Sequence, residues 1–386
     1  MMVKTKKSST LNHSKLLYFI LSCCFLLVGC SPRTVAISSK SVIPQKMPDA
    51  ARTVIRPPLT MLWKTKLKGP LLSKPAIRGT TLFIPMSNNK IYLLDASNGN
   101  VDELTDDLNG TGAVTPAMRG DQLFLSVVGQ TNREWHEFVA YDVIEEKILW
   151  RRPFINSWSA PFVSDGVVFA GAENGSAYAI DADSGETIWQ FKAKQQVRTS
   201  PIVSQGVVFI GSNDNHLYAL DATSGEIRWS YETGGTVPVA PAVTDDSVYG
   251  VSYDQNLYCL DRKDGRLRWK FRANSSLYGT PAVQSGRVFL GSNDRNLYCL
   301  DATSGIELWR YETSGVLIAS PLPMGSVVYT ASTDRKLYAI DVKTGQELWR
   351  YETGGSITVT PFVVEDMLLI ASEDRYVYAF AMSSQL

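Results

Sequence analysis

Two sets of aspartates recur along the chain at intervals of about 40 residues, and carboxylates at regular spacing could do chemistry. One set follows apolar runs: Asp95, Asp142, Asp181, Asp221, Asp261, Asp301 and Asp341. The other lies in polar segments: Asp214, Asp254, Asp294, Asp334 and Asp374. A ring of carboxylates could bind a metal ion or transfer protons. Both sets fall at predicted turns, however, where Asp commonly hydrogen-bonds the backbone. A residue that nearly every repeat contains is therefore interpreted as structural.

The remaining reactive side chains give no sign of a catalytic site. The three histidines, His13, His136 and His216, are too few and too scattered for a zinc site. Cys259 and Cys299 occupy the same position of adjacent repeats, too far apart for a disulfide. We expect both to be small buried side chains. The sequence contains no Ser/His/Asp arrangement and no Cys-x-x-Cys-His segment. It therefore predicts no catalytic residue, no cofactor and no metal site.

Residues 1–29 have the pattern of a signal peptide. A basic segment without acids precedes Leu16–Val28, an apolar run of 13 residues. A relaxed membrane span needs about 20 residues, so this run better suits the apolar region of a signal peptide. The run ends in Leu-Val-Gly-Cys at Cys30, which resembles a bacterial lipobox and implies lipidation of Cys30. Ser31 follows, which resembles a Gram-negative outer-membrane address. The alternatives are an ordinary signal peptide and an uncleaved anchor.

Residues 30–58 are rich in Ser and Pro and show no strand or helix period, so we expect a flexible tether. Residues 1–29 hold four of the 38 basic residues and none of the 38 acidic ones. The rest of the chain therefore has 34 basic and 38 acidic residues. That balance argues against a nucleic-acid-binding protein, which needs a basic face to neutralise phosphates.

The elements that must position the repeated residues are short strands. In residues 201–240, three runs rich in β-branched, aromatic or aliphatic residues are separated by Gly/Asn/Asp turns, and a further apolar pair precedes them. Four short strands joined by tight turns form one antiparallel blade, and such blades stack into a β-propeller. Each repeat has one proline at its innermost strand, and eight such prolines indicate eight blades: Pro75, Pro116, Pro161, Pro201, Pro241, Pro281, Pro321 and Pro361.

The two ends of the repeat array complement one another. A lone strand around Trp63 precedes the first repeat, and the last repeat ends after residues 376–380 without a Trp strand. We expect the N-terminal strand to complete the last blade, because closure removes the exposed edges of an open sheet. The predicted fold is thus all-β: an eight-bladed β-propeller of four-stranded antiparallel blades over residues 59–386.

The segment Ala219–Trp229 has the pattern Ala-x-Asp-x-x-Ser/Thr-Gly-x-x-x-Trp, and it resembles the tryptophan-docking repeat of quinoprotein (PQQ-type) propellers. The resemblance covers residues 59–381 and implies that each Trp packs between neighbouring blades. Quinoprotein dehydrogenases also carry a calcium site, a vicinal disulfide near the cofactor and, in some members, a c-type haem. Here the only adjacent cysteines, Cys23 and Cys24, lie in the predicted signal peptide. The short turns also leave no length for a cofactor lid.

Candidate binding residues are found where the repeats differ. One variable position lies three residues before each inner-strand proline: Leu72, Ala113, Trp158, Arg198, Pro238, Tyr278, Ile318 and Thr358. We expect this position near the mouth of the central channel. Trp158, Arg198 and Tyr278 are of the residue types that dominate binding hot spots. They are interpreted either as a partner or ligand contact or simply as variable rim residues.

The second repeat is also irregular. Residues 126–138, which include Trp135 and His136, replace a short turn with a longer segment. Loops on rigid scaffolds commonly carry function, so this segment is a second candidate contact surface. The alternative is a long hairpin that packs its own Trp.

Signal, length and repeats together resemble the BamB-type lipoproteins of the outer-membrane β-barrel assembly machinery. The resemblance implies a non-catalytic scaffold, anchored to the outer membrane by a lipid and facing the periplasm. Its expected partners are proteins of the assembly machinery and unfolded outer-membrane proteins, and no cofactor is expected. The alternatives are a small PQQ-dependent dehydrogenase-like enzyme and an extracytoplasmic sensor that binds a ligand or carbohydrate.

Overall fold

Eight antiparallel sheets form the blades of a propeller ring, as the sequence predicted, and the described residues form no helix. The computed structural model describes residues 57–71, 73–86, 90–104, 110–112, 115–129, 136–154 and 159–382. Cys30, Trp135 and Trp158 lie outside these ranges, as do the predicted signal peptide and all but the last two residues of the predicted tether.

Each blade runs from an innermost strand to an outermost strand, and strands are numbered in chain order. The innermost strands are β2 (Ala76–Arg78), β7 (Ala117–Arg119), β11 (Phe162–Ser164), β15 (Ile202–Ser204), β19 (Ala242–Val243), β23 (Ala282–Gln284), β27 (Leu322–Met324) and β31 (Phe362–Val364). The second strands are β3 (Thr81–Pro85), β8 (Gln122–Gly129), β12 (Val167–Gly171), β16 (Val207–Gly211), β20 (Ser247–Val251), β24 (Arg287–Gly291), β28 (Val327–Ala331) and β32 (Met367–Ala371).

The third strands are β4 (Ile91–Asp95), β9 (His136–Asp142), β13 (Ser176–Asp181), β17 (His216–Asp221), β21 (Asn256–Asp261), β25 (Asn296–Asp301), β29 (Lys336–Asp341) and β33 (Tyr376–Met382). The outermost strands are β5 (Val101–Leu104), β10 (Lys147–Phe154), β14 (Thr187–Lys192), β18 (Ile227–Glu232), β22 (Leu267–Arg272), β26 (Glu307–Glu312), β30 (Glu347–Glu352) and, in blade eight, β1 (Leu59–Lys66).

Blade two departs from the four-stranded prediction. An additional strand, β6 (Gly110–Gly112), pairs with the far end of β8, so this sheet has five strands. Residues 126–129 and 136–138 lengthen β8 and β9, which fits the long-hairpin interpretation of this segment better than the lengthened loop. Val127 and Phe138 are fully buried, which explains why the two strands continue beyond the length of the other blades. His136 begins β9, opposite Val128 and Phe154.

The N-terminal strand closes the ring, as predicted. β1 pairs antiparallel with β33, from Leu59 opposite Met382 to Lys66 opposite Tyr376. Blade eight then packs on blade one, because Leu82 and Tyr92 share a hydrophobic cluster with residues of β31, β32 and β33.

The hydrophobic core lies in the seams between blades, and the repeated tryptophans bind the blades together. Trp189 Nε1 donates a hydrogen bond of 2.9 Å to the carbonyl of Ala222 in the next blade, and the indole packs against Gly225 of the same turn. The same bond to the next blade recurs in six pairs: Trp63–Ala96, Trp150–Ala182, Trp189–Ala222, Trp229–Arg262, Trp269–Ala302 and Trp309–Val342. The predicted place of the tryptophans between neighbouring blades is confirmed.

Both sets of aspartates support the backbone. Asp301 Oδ1 accepts hydrogen bonds from the backbone N–H groups of Thr303 (3.1 Å) and Ser304 (2.8 Å) and from the Ser304 hydroxyl (2.8 Å). Asp254, in the other set, accepts from the backbone N–H groups of Asn256 and Gly234. The structural interpretation of these carboxylates is thereby confirmed. Cys259 and Cys299 are fully buried free thiols, also as predicted.

We expect the free energy of unfolding to fall between pH 5 and pH 3. Hydrogen bonds from Ser304 lower the pKa of Asp301, and hydrogen bonds from Thr344 lower that of Asp341. A carboxyl whose pKa is lowered by folding stabilises the fold above its unfolded pKa of about 3.9, and this contribution is lost as the pH falls. Urea unfolding at the two pH values measures the loss, and Asp301→Asn should reduce it. Equal stability at both values would contradict the expectation.

Candidate functional site

The turns divide between two faces of the ring, because neighbouring strands run in opposite directions. The turns between second and third strands, such as 212–215, lie on the same face as the connections from one blade to the next, such as 233–241. We call this the connection face. The turns between first and second strands and between third and fourth strands lie on the other face, which we call the turn face. The variable position before each inner-strand proline belongs to the connections and therefore lies on the connection face.

The residue before the variable position anchors each connection. In five successive connections this preceding side chain is at most 1% exposed: Val197, Val237, Leu277, Leu317 and Ile357. A buried anchor fixes the backbone while the next residue stays at the surface, which explains why only the latter varies. Arg198 and Tyr278 are thereby held on the connection face.

The neighbouring turn in blade five presents a third side chain, Tyr253, which is 46% exposed. Asp254 fixes this turn, since its carboxylate accepts from the N–H of Asn256 (3.0 Å), the N–H of Gly234 (3.1 Å) and the hydroxyl of Tyr258. Burial and the bond to Asp254 raise the pKa of Tyr258 to about 12. The phenol therefore remains a hydrogen-bond donor at neutral pH, and Tyr253 is held by a rigid turn.

Arg198, Tyr253 and Tyr278 form one group, which we call the Arg–Tyr cluster. The rings of Tyr253 and Tyr278 lie 5.5 Å apart at an angle of 56°. Arg198 Nη2 donates a bond of 2.8 Å to Glu173 Oε1, and the arginine side chain remains 45% exposed. Burial and Tyr278 raise the pKa of Tyr253, while the positive charge of Arg198 lowers it, so the three side chains are within electrostatic reach. Together they combine a cation and two aromatic rings, which suits recognition of a protein surface.

The structure thus places two predicted residues, Arg198 and Tyr278, on one face. Sequence reasoning missed Tyr253, although it left a signal. The same turn position in blades three, four, six, seven and eight holds polar residues: Glu173, Asn213, Asn293, Thr333 and Glu373. An aromatic residue at that position is an exception of the kind that identified Tyr278.

Quinoprotein dehydrogenases carry a calcium site, and the described residues of this chain can be compared with that feature through their possible metal ligands. Within the described ranges, His, Cys, Asp and Glu side chains form no group of three or more that could hold a metal ion. The repeated carboxylates instead accept hydrogen bonds from turn N–H groups, as at Asp301 and Asp254. No helix long and apolar enough to span a membrane occurs in the part of the chain that the structure describes.

Known structures share this architecture. BamB from Moraxella catarrhalis superposes with a TM-score of 0.72 at 18% identity, over 84% of this chain and 100% of that one. The computationally designed Ika8 protein gives a TM-score of 0.69 at 14% identity, over 82% and 99% of the two chains. At these identities the likeness establishes the fold alone.

Sequence comparisons give a local and an extended match. Quinohemoprotein alcohol dehydrogenase ADH IIB from Pseudomonas putida is 33% identical over 61 residues, which is 15% of this chain and only 9% of the enzyme. The family model described as outer membrane protein assembly factor BamB matches residues 136–244, 233–322 and 312–384. These ranges overlap into one stretch that spans more than half of the chain. The chain therefore belongs to the family of the outer membrane protein assembly factor BamB.

Proposed function

We propose that the protein is a non-catalytic scaffold in the assembly of outer-membrane β-barrel proteins. The observation that carries the proposal is the family match across residues 136–384. The structural role of the repeated carboxylates also supports it, because both sets accept hydrogen bonds within turns of the ring. The resemblance of the segment before Cys30 to a lipobox supports a lipid anchor in the outer membrane, with the propeller in the periplasm. Wild-type protein should then fractionate with outer membranes, and Cys30→Ser should not.

The partners of this scaffold are proteins of the barrel-assembly machinery and unfolded outer-membrane proteins. We assign the Arg–Tyr cluster as the contact with the assembly machinery. Tyr253 and Tyr278 supply rigid aromatic area, and Arg198 supplies a cation whose bond to Glu173 fixes its direction. Aromatic and arginine side chains of this kind contribute most of the binding energy in protein interfaces.

The double variant Arg198→Ala, Tyr278→Ala should lose its partner while the ring stays folded. Truncating a hot-spot residue costs about 2 kcal/mol or more, which weakens binding about 30-fold. The measurement is affinity purification of the full-length protein from solubilised outer membranes, with the recovered barrel-assembly proteins quantified. Thr358→Ala, at the same position of another connection, is the matched control and should recover them normally. Undiminished recovery by the double variant would contradict the assignment.

A quinone-dependent enzyme is the second candidate, because the match to the alcohol dehydrogenase is 33% identical within its 61 residues. That match covers less than two repeats, and the repeat pattern that the two proteins share accounts for it without shared chemistry. Titration with PQQ and calcium separates the two candidates. Stoichiometric quinone binding together with reduction of an acceptor dye would replace the scaffold proposal with the enzyme.

A further inference from the structure

A polar cleft of about 430 Å³ opens on the turn face between blades four and five. It lies on the side of the ring opposite the Arg–Tyr cluster. Its lining is rich in charge and contains three carboxylates and four basic side chains, Arg228, Arg262, Lys263 and Arg268.

The arginines of this cleft replace apolar residues of the repeat. Arg228 and Arg268 stand immediately before the docking tryptophans of blades four and five, where the other strands with this tryptophan have Leu62, Leu149, Ile188, Leu308 and Leu348. Arg262 follows the strand-end aspartate, where the other repeats have Ala96, Val143, Ala182, Ala222, Ala302 and Val342. Stacking the blades requires no arginine at either position. The three arginines converge at one seam of the ring.

A β-bulge determines the position of Arg228. The pairing of β17 with β18 shifts register so that Ala219 faces Trp229 and Leu220 faces Ile227, which leaves Arg228 without an opposite residue. Bulges redirect side chains in this way. Arg228 Nη2 bonds Asp221 Oδ2 at 2.7 Å, and the side chain is 45% exposed. This bond uses one of five guanidinium N–H donors, so Arg228 retains the capacity to bind a second anion.

Arg262 carries a buried positive charge whose hydrogen bonds go to neutral groups. The residue is 8% exposed. Nη2 bonds the carbonyl (2.8 Å) and hydroxyl (3.0 Å) of Ser204, and Nη1 lies 3.3 Å from the carbonyl of Thr244. Burial lowers the pKa of Arg262; Asp245 opposes this, and the charge of Arg228 lowers the pKa further. Buried charges are usually paired with an opposite charge. Asp245 supplies one for Arg262, and an anion between Arg262 and Arg228 would offset the repulsion between these two guanidinium groups.

All three acidic residues of the lining are engaged: Asp245 Oδ1 accepts from Gln205 Nε2 at 3.4 Å, and Arg268 binds the other two. Arg268 bonds Asp246 Oδ2 at 3.0 Å and Asp261 Oδ2 at 2.7 Å, forming one wall of the cleft. Its hydrogen bonds to both carboxylates hold the pKa of each below its usual range. These two carboxylates therefore repel an incoming anion less than free ones would, and Lys263 adds a further cation.

We propose that this cleft binds a small oxyanion group, a carboxylate or a phosphate, between Arg228 and Arg262 with Lys263 beside it. Guanidinium groups bind planar or tetrahedral oxyanions through paired N–H bonds. The cleft, at about 430 Å³, has room for one such oxyanion and the atoms bonded to it. The group comes either from a free anion or from an acidic side chain of a bound peptide. The site is separate from the proposed contact with the assembly machinery and does not depend on it.

Isothermal titration of the full-length protein in non-ionic detergent at low salt tests the proposal. Two probes distinguish the sources: inorganic phosphate, and a short peptide with blocked ends and one glutamate. At least one should bind saturably, and Arg228→Leu should weaken that binding about tenfold or more, as expected for one charge-assisted hydrogen bond. Phosphate binding alone identifies a free anion, and binding of the peptide identifies a protein ligand.

Variants that restore the repeat pattern keep this test independent of folding. Leu308 and Leu348 occupy the position of Arg228, so Arg228→Leu fits a blade. Lys263→Thr, matching Thr223 and Thr303, should also weaken binding and serves if Arg228→Leu does not fold. Lys343→Thr alters the equivalent lysine of blade seven and should bind like wild type. The proposal would be overturned if neither probe bound saturably. It would also be overturned if Arg228→Leu and Lys263→Thr both bound with the affinity of the wild type.

Discussion

A chain that begins at residue 68, and therefore lacks β1, is expected to lose much of its thermal stability. β1 completes blade eight by pairing along the length of β33. It also reaches both adjoining seams. Leu59 joins the hydrophobic cluster between blades seven and eight, and Trp63 Nε1 bonds the carbonyl of Ala96 in blade one at 2.9 Å. Removing the strand leaves β33 as an open edge and two seams without their outer side chains.

The expected fall in melting temperature is about 10 °C or more. Loss of a docked tryptophan alone costs about 3–5 kcal/mol, and each kcal/mol shifts the midpoint by about 2–4 °C in a domain of 150–250 residues. Circular dichroism during heating measures the change. A chain that begins at residue 57 and keeps β1 is the control and should melt like the full-length protein. If both truncated chains melt at the same temperature, the pairing of β1 with β33 does not contribute to the stability of the ring.

The propeller could be predicted because several local signals agreed in each repeat. The strand runs, the turn residues and the spacing of the tryptophans all indicated the same blade, and the lone strand at Trp63 indicated closure. The extra strand of blade two gave no such signal. β6 reads Gly-Thr-Gly, a sequence with little strand propensity, and it pairs because β8 extends beyond its usual length.

The candidate sites were only partly predictable, because they depend on distances between blades. Arg198 and Tyr278 stood out in one repeated position, but Tyr253 lies in a different turn, and its ring reaches that of Tyr278 only in the folded propeller. The unusual residues Arg228 and Arg262 are visible in the aligned repeats. Only the structure shows the bulge that redirects Arg228. It also shows the hydrogen bond from Arg262 to the carbonyl of Ser204 in blade four.

Gly225→Ala is expected to destabilise the ring more than Gly206→Ala, although both glycines have positive φ, 74° and 71°. An alanine in this left-handed region costs about 1–2 kcal/mol at either position. At Gly206 an added Cβ meets no atom within 4 Å, whereas at Gly225 it would lie 2.7 Å from Cδ2 of Trp189. The indole is held by its bond to the Ala222 carbonyl and by its burial, at 7% exposed, so it cannot easily move away.

The clash should add about 1–3 kcal/mol, the usual cost of overpacking a core. Urea unfolding of the two variants measures the difference, and the combination with Trp189→Ala assigns its cause. Trp189→Ala should itself cost about 3–5 kcal/mol. In that background the excess loss of Gly225→Ala over Gly206→Ala should disappear, because the atom that clashes is gone. An excess that persists without the indole would mean that the turn, and not the tryptophan seam, requires glycine at position 225.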